Sequence, residues 1–352
     1  MANGLGTTAA EQAGCAASPA MTQNRTRSQD AGVVDDEALL AVAHEALGPG
    51  VNKVAEIRRM TGGASRETWS FDAREGSGRV RTLILQIERP GAVNGGGTMT
   101  VEAAVQRAAR SAGVPVPEVV WESTGSPIGR PFLLLERLEG ETIPRRILRA
   151  PELASARTQF AEQAGATLAR IHDLDPAVVT GIEAGDQLDR YARLLQELPA
   201  SYPALELGLR WLERYRPAVD RNVVLHGDFR MGNLLFDRSG IAGVLDWELC
   251  HLGDPAEDLA WLCLKAWRFG STLPVAGLSS RDALYSTYER ASGRTVDPFR
   301  IHWWEVFGNV KWAVICALQA QAHRGGLVRS VELLSLGRKV CEIEHELLGL
   351  LV

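Results

Sequence analysis

In "VVLHGDFRMGNLLFD", residues 223–237, two apolar runs enclose His226, Asp228, Arg230 and Asn233. Asp228 and Asn233 stand five positions apart, and thirteen residues after Asn233 comes Asp246, in "IAGVLDWELCHLGDPAEDLAW". An Asn amide oxygen and an Asp carboxylate are hard ligands. They suit Mg²⁺, which takes few protein ligands and completes its shell with water and phosphate oxygens. A second Asp, earlier in the same loop, can accept the proton of an attacking hydroxyl. A base, two metal ligands and a nucleotide held nearby are the parts of phosphoryl transfer. His226 reads as a residue that orients backbone rather than one that donates protons. The plainer reading of the same letters is that Asp228 and Asn233 form turns, which favour Asp, Asn and Gly, and that Asp246 ends a strand in solvent.

Such side chains meet only if the chain brings them together. "NLLFD", "RSG" and "IAGVLDW" read as strand, turn and strand, and a hairpin there would bring Asn233 close to Asp246. Upstream, "DDEALLAVAHEALG" is an amphipathic helix closed by Gly48. Three strand-like runs follow, 54–60, 67–73 and 81–87, separated by the turns "TGGAS" and "REGSGR". A helix over 97–113 and two more strands, in "VPVPEVVWES" and "RPFLLLERLEG", complete a β-β-β-α-β-β order. That order implies an antiparallel sheet with a helix laid on it. After Gly140 the apolar spacing turns to three and four, beginning with "PELASARTQFAEQAGATLARIHDL". The expected fold is α+β, with a small antiparallel β lobe over residues 35–138 and a larger, mainly helical lobe over 139–352. Residues 1–34 are small and polar without a sustained period and read as a disordered tail. In "GDPAEDLAWLCLKAW", Asp254 is placed to cap a helix with Pro255 at its first position, Glu257 completes a capping-box-like arrangement, and Asp258 lies in the first turn. Trp261 and Trp267 read as core.

Composition narrows the function classes. With 352 residues, 45% of them apolar and 23% charged, the chain can bury a real core. A net charge of -5 argues against a nucleic-acid partner. The five cysteines are odd in number and contain no C-x-x-C pair, which fits reduced thiols in a cytoplasmic protein better than a disulfide framework or a zinc site. No apolar run approaches the roughly 20 residues needed to span a bilayer, so no membrane partner is expected.

His226-Gly227-Asp228, Asn233 and then Asp246-Trp247-Glu248 resemble the motifs of the aminoglycoside phosphotransferase and choline kinase-like family of small-molecule kinases. "VLDWELCHLGDPAEDLAW" is especially similar to kinase-like domains related to those joined to some acyl-CoA dehydrogenases. The resemblance covers roughly residues 40 to 345 and is most specific over 223–262. It implies a two-lobed, protein-kinase-like fold, ATP and Mg²⁺ as cofactors, and transfer of the γ-phosphate to a hydroxyl of a small molecule. Asp228 would be the base, and Asn233 and Asp246 would hold the metal. The turn containing Gly62, Gly63, Ala64 and Ser65 would cover the phosphates, and the Glu136 carbonyl and Leu138 amide would meet adenine. The family places a Lys or Arg on the third strand, paired with a Glu on the following helix. Here Gln86 stands in the cation position and Glu102 matches the helix Glu. Two outcomes stay open: a rearranged clamp, with the charge supplied by Arg89 after the strand or by Arg66 in the 62–65 turn, or a weakened enzyme in which Gln86 hydrogen-bonds phosphate without a charge.

Polycationic aminoglycosides call for a cluster of acids, and the segment "HWWEVFGNVKWAVICALQAQAHRGG" has few. A neutral or acyl-bearing hydroxyl acceptor fits better, with Glu305, Asn309, Lys311 and His323 as candidate pocket liners. Two rival readings are a non-catalytic nucleotide-binding protein, motivated by Gln86, and a metal-dependent phosphohydrolase using His226, Asp228, Asp246 and His251.

Overall fold

Alternation in "RTLILQI" puts Leu83, Leu85 and Ile87 on one face of a strand, and all three are fully buried. The computed structural model describes residues 34–60, 66–89, 98–218, 221–327 and 330–352. In it this strand lies at the centre of a five-stranded antiparallel sheet. The strands are β1 (Val51–Met60), β2 (Arg66–Glu75), β3 (Val80–Glu88), β4 (Val119–Ser123) and β5 (Phe132–Glu136), in the order β1-β2-β3-β5-β4. Helix α1 (Asp36–Leu47) is capped by Asp35, whose Oδ1 accepts from the Ala38 N–H at 2.9 Å. Its Leu39, Val42 and Ala43 pack with Phe71, Leu83, Leu85 and Ile87. Helix α2 (Met99–Ser111) covers the other face, where Met99 and Ala103 meet Leu133 and Leu135. The expected β-β-β-α-β-β order is present. The register pairs Thr68 with Gln86 and Gln86 with Leu133, so Gln86 and, two residues before Thr68, Arg66 share the face beneath α2.

Beyond β5 the chain crosses to a helical body. Glu141 exchanges two backbone hydrogen bonds with Phe236, at 2.8 and 2.9 Å. The elements that follow are α3 (Pro144–Arg149), α4 (Ala154–His172), α5 (Gln187–Gln196), α6 (Pro203–Arg214), β6 (Val223–Leu225), β7 (Leu234–Asp237), β8 (Gly240–Val244), β9 (His251–Gly253), α7 (Ala256–Cys263), α8 (Arg281–Ser292), α9 (Pro298–Arg324), α10 (Val331–Leu336) and α11 (Lys339–Leu350). One continuous apolar cluster joins α4, α7, α8 and α9, with Phe160, Leu168, Leu259, Tyr288 and Phe307 among its buried members. On this body lie two ribbons, β6 with β9 and β7 with β8. They are short, and each hands its chain directly to a polar loop. No helix among the described residues is long and apolar enough to cross a membrane. The tail expected over 1–34 falls, but for Val34, outside the described residues, and so does the turn holding Gly62, Gly63, Ala64 and Ser65.

Candidate active site

The β7–β8 hairpin is the one anticipated from its letters: Leu234 pairs with Val244 and Asp237 with Gly240. Its ladder runs one step further, where the Leu245 N–H donates to the Asn233 carbonyl at 2.8 Å. Asp246 therefore emerges one residue past a fixed contact with Asn233. On the other side Asn233 Nδ2 donates to Asp228, to the backbone oxygen at 3.1 Å and to Oδ2 at 2.6 Å. Asp228 Oδ1 accepts from Arg230 Nε at 2.9 Å and from Trp261 Nε1 at 2.8 Å. Three donors thus hold the buried Asp228 carboxylate in one orientation. Arg230 in turn lies 4.6 Å from the centre of the Trp267 ring, a cation–π contact.

His226 does what its position suggests. Its Nδ1 accepts from the Asp228 N–H at 3.1 Å, which leaves the proton on Nε2 to donate to the Leu245 carbonyl at 3.1 Å. Burial lowers its pKa and keeps the ring neutral. Gly227 has φ +78°, and a β-carbon there would stand 2.2 Å from the Leu249 carbonyl oxygen. Only glycine lets the two loops approach this closely.

Asp246 takes φ +65°, a left-handed conformation that costs a non-glycine residue about 1–3 kcal/mol. Burial, then the Glu248 and Asp228 carboxylates, push its carboxyl up to about 7. Carboxylates gathered without full compensation make a site where a divalent cation is favourable. The oxygen donors present fit Mg²⁺. Because Asn233 spends its amide nitrogen on Asp228, its Oδ1 is the side-chain oxygen available to an ion. The phosphohydrolase alternative lacks its ligands. Both His226 nitrogens serve backbone atoms, and His251 is taken by the Leu249 carbonyl at 2.8 Å and Glu257 at 3.1 Å. Among the described residues no group of three or more His, Cys, Asp and Glu is placed to hold a metal alone.

Gln86 and Glu102 are brought together, and Arg66 joins them. Arg66 Nη1 donates to Glu102 Oε1 at 2.8 Å and to Gln86 Oε1 at 3.2 Å, while Nη2 donates to Glu102 Oε2. Burial works against the Arg66 charge. The Glu102 carboxylate outweighs it, with help from Glu248 and Asp246, and the pKa is raised. At the lobe crossing, Glu136 ends β5 and pairs with Leu83, and Leu138 lies close over Gly243 of β8.

Residues 56–302 match the model of the phosphotransferase enzyme family. The chain belongs to that family. Its relatives include mouse acyl-CoA dehydrogenase family member 10, 35% identical over 183 residues (49% of this chain, 17% of that protein). Human acyl-CoA dehydrogenase family member 11 is 29% identical over 283 residues (74% of this chain, 36% of that protein). This chain thus spans about a third or less of the length of either. Viomycin phosphotransferase of Streptomyces vinaceus is 29% identical over 170 residues (42% of this chain, 53% of that protein). Among solved structures, aminoglycoside phosphotransferase APH(4)-Ia in complex with AMP-PNP and hygromycin B superposes with TM-score 0.59 at 17% identity, covering 89% of this chain and 98% of that one. Spectinomycin phosphotransferase APH(9)-Ia, with ADP and spectinomycin, gives 0.60 at 13% identity, over 89% and 98%. The shared fold is the two-lobed, protein-kinase-like one.

In this phosphotransferase-family chain several residues support the loop in ways the letters do not announce. Asp258 lies in the first turn of α7, as read from sequence, and its carboxylate also accepts the His226 N–H on Oδ2 and the Gly227 N–H on Oδ1, both at 2.8 Å. Its Oδ2 also lies 3.2 Å from His172 Nε2. Burial opposes its ionisation, but the hydrogen bonds from the His172 side chain and the His226 backbone hold its carboxyl down, at about 2. Glu257 does not close a capping box. It accepts from Lys311 Nζ at 3.0 Å, and Lys311 also donates to the Gly227 carbonyl at 2.9 Å. Nor is Asp254 the N-cap: α7 begins at Ala256, so that position falls to Pro255, and Asp254, one residue ahead of it, accepts from the Ala256 N–H at 3.0 Å. Trp261 is core, as expected, yet its indole N–H reaches Asp228. Of the proposed acceptor-pocket residues, Lys311 is buried under the loop, Glu305 pairs with Arg281, Asn309 Nδ2 donates to the Glu305 carbonyl, and His323 Nδ1 accepts from the Ser330 N–H. An acid three residues into a helix beside a polar loop is the only sequence signal that could have marked Asp258 as an anchor.

Proposed function

We propose that this chain is an ATP- and Mg²⁺-dependent phosphotransferase that moves the γ-phosphate to a hydroxyl of a small molecule. The observation that supports the reading is that one loop and its hairpin carry Asp228, Asn233 and Asp246 in succession, Asp228 bonded to Asn233 and Asp246 one residue past Asn233's ladder partner, with the Asp246 carboxyl pushed up by burial and by the Glu248 and Asp228 carboxylates. Asp228 Oδ2 receives the acceptor's hydroxyl proton. The three donors on its carboxylate fix the direction from which that hydroxyl attacks. Asn233 Oδ1 and Asp246 hold Mg²⁺, which when bound neutralises charge on the transferred phosphate. The amides of Gly62, Gly63, Ala64 and Ser65 would cover the triphosphate, with Gln86 of β3 and Glu102 of α2 beside it. The Glu136 carbonyl and the Leu138 amide take the adenine edge.

The acceptor we favour is an alcohol bearing an acyl group rather than a polycation. Three acids outside the proposed metal site are already held by cations: Glu257 by Lys311, Asp254 by Arg300 and Glu305 by Arg281. The relatives named as acyl-CoA dehydrogenase family members support the same choice.

The test is ATP turnover against a panel of metabolite alcohols and hydroxyacyl thioesters, with Asp228→Ala as the blank. Acceptor-dependent ADP release that the variant lacks supports the reading. Nucleotide binding without turnover on any acceptor would favour the non-catalytic alternative, and ATP loss independent of acceptor would favour hydrolysis.

A further inference from the structure

We infer that Arg66, at the first position of β2, is the cation that holds the nucleotide's phosphates in this chain, in place of a basic residue on β3. The inference rests on the phosphotransferase reading above.

Three observations converge on it. First, the position facing Glu102 on β3 is Gln86, which is uncharged, and the guanidinium that fills the gap comes from the neighbouring strand. Second, that guanidinium is tied down on several sides. Its bonds to both Glu102 oxygens and to Gln86 use three of the five N–H donors an arginine has, and they fix the plane of the fork. Arg66 is 9% exposed, so its placement is set by packing as well as by charge. Third, it points toward the proposed metal site. Arg66 Nε lies 3.5 Å from the Glu248 carboxylate, two residues past Asp246, and Asp246 itself is among the charges acting on it. A contact of 3.5 Å is at the long end for a hydrogen bond. A phosphate oxygen arriving with its cation can take Glu248's place on Nε without disturbing the Glu102 pair.

The geometry also explains how Gln86 serves. Its amide oxygen accepts from Arg66 and steers the fork, a task for which a second positive charge would be unsuited.

The experiment compares ATP and adenosine binding, by calorimetry with Mg²⁺ present, in wild type, Arg66→Gln and the double variant Arg66→Gln/Gln86→Lys. Arg66→Gln is expected to weaken ATP by about 10–100-fold and to leave adenosine within about threefold. The double variant places an ammonium on β3 beside Glu102 and is expected to recover at least tenfold of the loss. It also guards against a fold defect, because Glu102 regains a cation. ATP affinity unchanged in Arg66→Gln would overturn the inference alone. Equal losses of ATP and adenosine in both variants would assign Arg66 a structural role and overturn it too. A wild type that binds no ATP would overturn the phosphotransferase reading along with the inference.

Discussion

The two halves of the site are built differently. In the loop over 223–258 each chemical group lies where a short, continuous stretch of chain puts it. Asp228 and Asn233 share one loop, Asn233 and Asp246 share one hairpin, and Asp258 returns 31 and 32 residues later to bind the backbone of Gly227 and His226. On the sheet, the charge centre is assembled from Arg66 on β2, Gln86 on β3 and Glu102 on α2, 20 and 36 residues from Arg66. In the loop, backbone geometry dictates which residue must be where, since Gly227 has no room for a β-carbon and Asp246 holds a strained φ. On the sheet, only a position in space is required, and a side chain from either neighbouring strand can fill it. A charge can therefore move from one strand to the next on a sheet face, while a loop motif must be kept letter by letter.

The contrast can be broken or sharpened by experiment. The largest effect is expected for Asp228→Asn, which should lower acceptor-dependent turnover by about 10²–10⁴-fold while leaving ATP affinity within about threefold. Steady-state kinetics beside nucleotide binding measures both, and wild-type turnover in this variant would erase the distinction between loop and sheet. Next comes Asp258→Ala. Removing the acid leaves two buried N–H groups and His172 without their acceptor, and should destabilise the protein by about 3–5 kcal/mol in urea unfolding. A loss under about 1 kcal/mol would mean that the loop is held by its own turns.

The same carboxyl sets an acid limit. Its pKa is lower folded, at about 2, than the usual 3.8. Its contribution is then fully present above the unfolded value and is lost as pH falls through the folded one. Stability should drop by about 2 kcal/mol between roughly pH 4 and pH 2 on this account, and Asp258→Asn should flatten that part of the profile. The smallest effect belongs to Gln86→Ala. Only one hydrogen bond to Arg66 is lost, and ATP affinity should fall by about threefold, or roughly 0.5–1 kcal/mol. A loss as large as that of Arg66→Gln would place the functional group on β3 after all.

What was legible in the sequence follows the same division. The strand and helix order of the sheet, the β7–β8 hairpin and the placement of His226, Asp228 and Asn233 could be read because hydrophobic period and turn chemistry act over a few residues. The pairing of Arg66 with Gln86 and Glu102 is not legible in the letters, because it depends on which residues share a sheet face, and that needs the register Thr68 to Gln86. Glu257 was misread as half of a capping box, because its partner Lys311 lies 54 residues away on α9. Lys311 was misread as a pocket residue for the same reason. Nothing local tells a buried, paired lysine from one lining a cavity. Trp261 looked like core and is core, and its indole N–H on Asp228 is a contact that only the packed helix reveals.

The central claim is that Asn233 and Asp246 hold one divalent cation against the nucleotide beside Asp228. Electron paramagnetic resonance of Mn²⁺ with AMP-PNP in wild type, Asn233→Ala and Asp246→Ala addresses it most directly. One Mn²⁺ is expected per nucleotide-loaded wild-type chain, with more than tenfold weaker binding in each variant. Mn²⁺ binding in both variants equal to that of wild type, with AMP-PNP still bound, would contradict it.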